Sequence, residues 1–180
     1  MIPAVATYIA FLRAINLGAT RKFPKDKIVE AVEAAGFTDV ATYINTGNVR
    51  FDTKLRSRAK IETALEDSFR AEAGVEIPTI VFTQKELRAI ADEAAAFGHV
   101  GGRHYVSLLK EAPSTAAIRT MEDSSTVDEV AKVGGRAVHL LFHGSDYHQA
   151  RLTNVQVEKV LGVATNRNLT VISKLAEMWC

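Results

Sequence analysis

Cysteine is almost missing from these 180 residues: Cys180, at the last position, stands alone. No disulfide can form within one chain, so a small stapled secreted fold is excluded. A nucleophilic role for Cys180 is not expected, because chain ends are poorly ordered and a nucleophile needs fixed partners. Long apolar runs are missing as well, and none approaches the roughly 20 residues of a membrane-crossing helix. Met1-Ile2-Pro3-Ala4-Val5 lacks the basic start and cleavage site of a signal peptide. The expected location is the cytoplasm, with no membrane partner. An excess of one charge is absent too: 22 basic and 21 acidic residues leave a net charge of +1. Dedicated nucleic-acid binders usually carry a clear basic excess, so nucleic acid is not an expected partner. A local basic pocket is still compatible with this balance. What is present is 47% hydrophobic and 24% charged residues, enough apolar side chain for a real core.

Periodicity divides that core into elements. Thr7 to Leu12 is almost wholly apolar and ends at a polar stretch with Gly18, the pattern of a strand buried on both faces. Pro24 suits the first position of a helix whose apolar residues, Ile28, Val32 and Ala35, precede a stop at Gly36. Val40 to Ile44 and Val49 to Phe51 read as strands on either side of the turn Asn45-Thr46-Gly47-Asn48. Asp52 or Thr53 is expected to cap a second helix, with Leu55, Ile61, Leu65 and Phe69 on its apolar face and Gly74 at its end. Val75 to Phe82 reads as a fourth strand, and Pro78 hints at a sheet edge. This order, β-α-β-β-α-β, is the ferredoxin-like split βαβ motif.

The second half is also mixed. Thr83-Gln84-Lys85-Glu86 is a capping box opening a helix with Leu87, Ile90, Ala91 and Ala94 on one face. Gly98-His99-Val100-Gly101-Gly102 reads as a loop and Tyr105 to Leu109 as a strand. Pro113 begins a short helix through Ile118 and Met121. Val127 to Val133 and Arg136 to Phe142 form a hairpin about Gly134-Gly135. A helix from Asn154 to Leu161 stops at Gly162, and the last one starts near Asn168 with Leu169, Ile172, Leu175, Ala176 and Trp179 on one face. No tandem repeat shows at the residue level, and no linker interrupts the chain. The expected fold is α+β: a ferredoxin-like βαββαβ N-terminal half, residues 1–83, packed against a second, smaller α+β subdomain, residues 84–180, closing with a C-terminal helix.

Topology brings polar loops together. The first two strands run in the same direction, so the loop with Arg13, Asn16 and Gly18 and the turn with Asn45, Thr46, Gly47 and Asn48 leave the same end of the sheet. Thr165-Asn166-Arg167-Asn168 precedes the last helix, whose N-terminal N–H groups suit an anion. Arg167 adds a planar donor fork for phosphate or carboxylate. The candidate ligand-binding residues are therefore Arg13, Asn16, Asn45, Thr46, Asn48, Arg167 and Asn168, and the expected ligand is a small anion-bearing molecule. A purely local role competes with this, since Asn, Thr and Gly in turns commonly satisfy nearby backbone groups. Arg13 has Asp39 and Asp52 as possible salt-bridge partners, and Thr165 or Asn168 suits a helix N-cap. An enzyme using the same residues as electrostatic clamps and a protein–protein or nucleic-acid binding module are the other readings. No general base is apparent near the loops, so no catalytic residue is assigned, and binding is favoured over catalysis.

These segments carry a family resemblance. Tyr8-Ile9-Ala10-Phe11-Leu12-Arg13-Ala14-Ile15-Asn16-Leu17-Gly18 resembles the opening motif of the bacterial domain-of-unknown-function family numbered 1697. Thr42-Tyr43-Ile44-Asn45-Thr46-Gly47-Asn48-Val49 resembles its second motif. Ala164 to Val171, with Lys174-Leu175, resembles its closing one. The resemblance implies an α+β fold with a ferredoxin-like part, and no mechanism, because the family's biochemical function is not established. Ala14 and Ala19 stand where the family commonly has Gly, and Asn45-Thr46 replaces a more usual Gln-Ser. Arg151-Leu152-Thr153 only partly matches the usual basic-Ser-Lys stretch.

Other chemistries lack their signatures. His139, His143 and His148 have no nearby Cys or Glu pair to complete a metal-ligand spacing. No G-x-S-x-G, Walker A or G-x-G-x-x-G motif occurs, and no cofactor is expected. The third strand, Asn48-Val49-Arg50-Phe51, lacks the paired aromatics of RNA-binding sheets.

Overall fold

The apolar run after Thr7 forms β1 (Ala6–Leu12), whose last five residues are buried. The computed structural model describes residues 2–98, 103–144 and 149–180. Beyond β1 the order is α1 (Lys25–Ala34), β2 (Thr38–Tyr43), β3 (Asn48–Thr53), α2 (Arg58–Ala73), β4 (Thr79–Thr83) and α3 (Gln84–Ala96). Then come β5 (Arg103–Leu109), α4 (Thr115–Asp123), β6 (Glu129–Gly134), β7 (Ala137–Phe142), α5 (Asn154–Leu161), β8 (Ala164–Asn168) and α6 (Leu169–Trp179). The protein is thus mixed α+β, with two four-stranded antiparallel sheets and six helices among the described residues. None of those helices is long and apolar enough to cross a membrane. The chain separates into two compact units that divide between Leu87 and Arg88, inside α3.

The first sheet has the strand order β2-β3-β1-β4 and the second β6-β7-β5-β8. These are one topology used twice, because β5 to β8 follow one another as β1 to β4 do. Each series is strand, helix, two strands, helix, strand, helix. Register repeats as well. Ile9 lies between Arg50 and Phe82, and Val106 lies between His139 and Arg167 at the equivalent place. Even the flanking bonds correspond. Leu12 N–H donates to Gly47 O at 2.8 Å and Leu109 N–H to Arg136 O at 2.9 Å. Arg13 N–H donates to Pro78 O, and Lys110 N–H to Val163 O, both at 2.9 Å. The repeat escapes residue-level reading because a sheet demands an apolar pattern rather than identical side chains. In register, Tyr8-Ile9-Ala10-Phe11-Leu12 answers Tyr105-Val106-Ser107-Leu108-Leu109. The buried stripe Leu87, Ile90, Ala91 and Ala94 answers Ile172, Leu175, Ala176 and Trp179.

In the first unit α1 and α2 cover one face of the sheet. Ile28 and Val32 of α1 and Ile61, Leu65 and Phe69 of α2 pack with Tyr8, Ala10, Leu12, Val49, Phe51 and Val81. Each large apolar side chain fully buried there contributes roughly 1.5–3 kcal/mol. The opposite face of β1 is buried too, with Ile9 and Phe11 at 0% exposure, as a two-sided apolar run requires. In the second unit Met121 of α4 and Val157 and Leu161 of α5 pack on Leu109, Ala131, Val138, Leu140 and Phe142.

Several local expectations are corrected. Thr165-Asn166-Arg167-Asn168 is not a loop but most of β8, paired with β5. The second helix starts at Arg58 with Ser57 as its cap. Asp52 and Thr53 belong to β3, where Thr53 Oγ1 accepts from Leu55 N–H at 3.1 Å. The hairpin turn is Gly135-Arg136, since Gly134 already pairs with Ala137. The fourth strand is shorter than expected, starting after Pro78 at the sheet edge. Its outward Thr79 and Val81 N–H groups donate to Glu66 at 2.9 Å and Glu62 at 3.1 Å, which blunts that edge. The capping box forms as expected: Glu86 N–H donates to Thr83 Oγ1 at 3.1 Å and Thr83 N–H to Glu86 Oε2 at 2.7 Å. The readings at His99–Gly102, Ser145-Asp146 and His148 fall outside the described residues.

The β2–β3 turn depends on one glycine. Gly47 has φ +79°, and a Cβ there would stand 2.7 Å from Leu12 Cβ and 2.9 Å from Ile15 Cδ1. Gly47→Ala should cost about 1–2 kcal/mol of backbone strain and about 1–3 kcal/mol of overpacking. Gly36→Ala, at φ +89° with open space around it, should cost only the backbone part. Urea melts of the two variants check this, and equal losses would refute the close packing at Gly47.

Candidate functional site

Three connections leave the first sheet at the end where β1 stops: residues 13–24, 44–47 and 74–78. Side-chain bonds lace them together. Asn16 Nδ2 donates to Asn45 O at 2.8 Å and to Phe23 O at 3.1 Å, while Phe23 N–H donates to Asn16 Oδ1 at 2.7 Å. Arg21 donates from Nε to Ala14 O and from Nη2 to Glu76 O, both at 2.7 Å. The first loop and the β2–β3 turn therefore meet, as their topology requires.

The candidate residues differ in what they do. Asn16 has both amide hydrogens and its oxygen committed to the framework. Asn48 is fully buried, and its Nδ2 donates to Tyr43 O at 3.0 Å and Thr46 Oγ1 at 2.9 Å, which closes the turn from inside. Asn45 and Thr46 are exposed, and Arg13 is half-buried. Arg167 and Asn168 belong to the second unit. Arg167 is buried on β8, with Nη1 donating to Thr165 Oγ1 at 2.9 Å and Asn166 O at 2.8 Å. Burial pushes its pKa down to about 10. Asn168 is the N-cap of α6, its Oδ1 accepting from Val171 N–H at 2.9 Å.

Asn16, Gly18, Lys22, Pro24, Lys25, Asp26 and Asn45 line an open groove of about 730 Å³. Lys22 and Lys25 are exposed and place two positive charges on it, against the single carboxylate of Asp26. Helix α1 begins here, and its N-cap, Pro24, makes no side-chain cap bond. The positive end of that helix adds to the same field. Sequence reasoning missed Arg21, Lys22 and Lys25. The one available signal was two lysines flanking the proline that opens a helix.

The backbone is strained at this end. Ala14, Asn16, Arg21 and Ile44 have φ of +56°, +52°, +53° and +51°. At Ala14, Arg21 and Ile44 this left-handed conformation costs about 1–2 kcal/mol each, and the β-branched Ile44 is a clear outlier; Asn16, and Asp39 at φ +51° near the start of β2, are of the types that adopt it more readily. The second unit offers an internal control. Its corresponding connections are residues 110–114, 135–136 and 162–163, all shorter, and their positive-φ residues are glycines, Gly135 and Gly162.

Among the described residues no group of three His, Cys, Asp or Glu side chains is placed to hold a metal ion. No curated protein matches the chain. A solved structure, described as that of the conserved bacterial protein SP0830 from Streptococcus pneumoniae, is similar with a TM-score of 0.78 at 20% identity. The match covers 97% of this chain and 99% of that one, and it shows a shared fold. The family model described as protein of unknown function (DUF1697) matches residues 5–139, a span that includes the motifs at Tyr8–Gly18 and Thr42–Val49. The chain belongs to this family of proteins of unknown function.

Proposed function

We propose that the protein binds a small molecule carrying a phosphate or carboxylate group in the groove beside the N-terminus of α1. The observation that carries this reading is the concentration of backbone strain in the loops around that groove. Strain persists only where surrounding structure over-determines it, and it clusters at binding and active sites. The twin unit, built on the same strand register, keeps short connections at the same place. Lys22 and Lys25 would meet the anion, with Asn45 and the Gly18 backbone as further polar groups. Asn16 and Arg21 would act by holding the loops rather than by touching the ligand. The groove's volume, within the range of small-molecule sites, exceeds what a bare anion needs. The strand order β2-β3-β1-β4, with its βαββαβ connections, supports the ferredoxin-like reading of the first unit.

A thermal-shift screen of sugar phosphates, nucleotides and organic acids tests this. A ligand at about 100 times its Kd stabilises by about 2.7 kcal/mol, so the melting temperature should rise by roughly 5–10 °C. The shift should vanish in the Lys22→Ala/Lys25→Ala double variant. No shift with any compound, or one that survives both substitutions, would count against the groove.

The strain itself is testable without a ligand. Ala14→Gly should relieve about 1–2 kcal/mol in the fold and lose about 0.5–1 kcal/mol through a freer unfolded chain. The net expectation is a melting temperature roughly 1–4 °C higher. A lower one would show that the loop is not strained at Ala14.

A further inference from the structure

The second unit buries a cluster of titratable groups far from ordinary surface chemistry. Alternation along β5 and β7 turns His104 and His139 to the face opposite α4 and α5, where they are 6% and 0% exposed. His104 Nε2 lies 3.2 Å from His139 Nδ1. Their outer nitrogens, His104 Nδ1 and His139 Nε2, are buried without a hydrogen-bond partner. His139 Nε2 faces the half-exposed carboxylate of Glu93 on α3 at 3.6 Å. One turn further along, Phe97 packs its ring 5.0 Å from His139 and 5.9 Å from His104. Glu93 also fills the space that a Cβ on Gly134 would need, so its carboxylate sits down on the β6–β7 hairpin.

Donor and acceptor chemistry orders the protons. A carboxylate only accepts, so His139 keeps its hydrogen on Nε2, toward Glu93. His139 Nδ1 then accepts from His104 Nε2–H, and the lone pair of His104 Nδ1 remains unpaired.

We propose that Glu93, His139 and His104 form a proton-operated latch, which holds the last turn of α3 on the second sheet while the pair is neutral and releases it when the pair takes up a proton. Phe97 and the two rings form an apolar seat only in the neutral state. Burial pushes both imidazoles down to about 4, and for His104 the neighbouring His139 adds to the effect. The surrounding charge does not favour an imidazolium. Lys132 of β6 is the cross-strand neighbour of His139, and Arg167 of β8 follows beyond Val106 in the same row. From α3 only the long contact with Glu93 attracts a proton, among the described residues of that helix.

The direction follows from the depressed values. A released imidazole titrates near 6.5 and a latched one near 4, so the latch is fully engaged above 6.5 and weakens as pH falls toward 4. Counting a single proton for the pair, opening should be about thirtyfold more favourable at pH 5 than at pH 8. Hydrogen exchange of the full chain, corrected for intrinsic rates, reads this directly. Peptides from the end of α3 should show opening that rises at least tenfold from pH 8 to pH 5, while peptides from α2 stay unchanged. The His104→Gln/His139→Gln variant should lose the pH dependence. Unchanged exchange in the wild type, an equal rise in α2, or a pH dependence that survives both substitutions overturns the latch. Should the double variant not fold, NMR titration of the wild-type histidines decides. Midpoints below 5 that track α3 exchange support the latch, and midpoints near 6.5 refute it.

Discussion

β1 hydrogen-bonds to β3 along one edge and to β4 along the other, and both of its faces are buried. A one-residue slip in such a strand would exchange the Tyr8-Ala10-Leu12 face with the Ile9-Phe11 face. The side chains on the two faces differ in size and partners, so the pairing is pinned from four directions. The rest of the first unit inherits its geometry from that pinning. Leu12 N–H reaches Gly47 O and Arg13 N–H reaches Pro78 O, which fixes where the β2–β3 turn and the α2–β4 connection start. The 13–24 loop then has no choice but to lie against both.

That dependence explains what the residues disclosed and what they hid. β1, α5 and the Thr83–Glu86 capping box were legible because period and cap chemistry agree locally. The meeting of Asn16 with Asn45 was legible for another reason: topology alone places their loops at one end. β8 was not legible, because Thr165, Arg167 and Asn166 read as turn residues. Their burial depends on partners such as Ser107, whose hydroxyl accepts from Asn166 Nδ2 at 3.2 Å, and these appear only once the sheet exists. The burial of Asn48 was hidden for a similar reason. An asparagine in a turn has the same letter whether its amide faces solvent or closes the turn from within. Lys22 and Lys25 escaped because isolated lysines carry no spacing signature.

The twin topology sharpens the division of labour between the units. In the first, the connections at the end where β1 stops are long, while residues 35–37 and 54–57 at the other end are short. In the second, residues 124–128 outnumber their counterpart 35–37, whereas 110–114, 135–136 and 162–163 are each shorter than their counterparts 13–24, 44–47 and 74–78. Elaboration at opposite ends of equivalent scaffolds means that each unit departed from the common pattern at a different place.

The polar exceptions follow the same logic. His139 occupies the register position of Arg50, and Arg167 that of Phe82. A buried phenylalanine at the second of these positions costs nothing in desolvation, whereas a buried guanidinium must be hydrogen-bonded to be tolerated. Arg167 meets that demand through Thr165 and Asn166. The histidine pair does not, since two ring nitrogens stay unpaired, and each such group costs about 1–3 kcal/mol. The register equivalents of the two histidines in the first unit, Thr7 and Arg50, are polar as well but partnered: Thr7 Oγ1 donates to Asp52 at 2.6 Å, and Arg50 pairs with Asp39 at 2.8 Å. The difference between the units is therefore in satisfaction rather than polarity, and a half-satisfied cluster is what stability alone would not favour. The strained loops at the end of β1 stand in the same relation to their unstrained counterparts. In each unit the departure from the scaffold's own minimum is local: strained backbone in the first, unpaired imidazole nitrogens in the second.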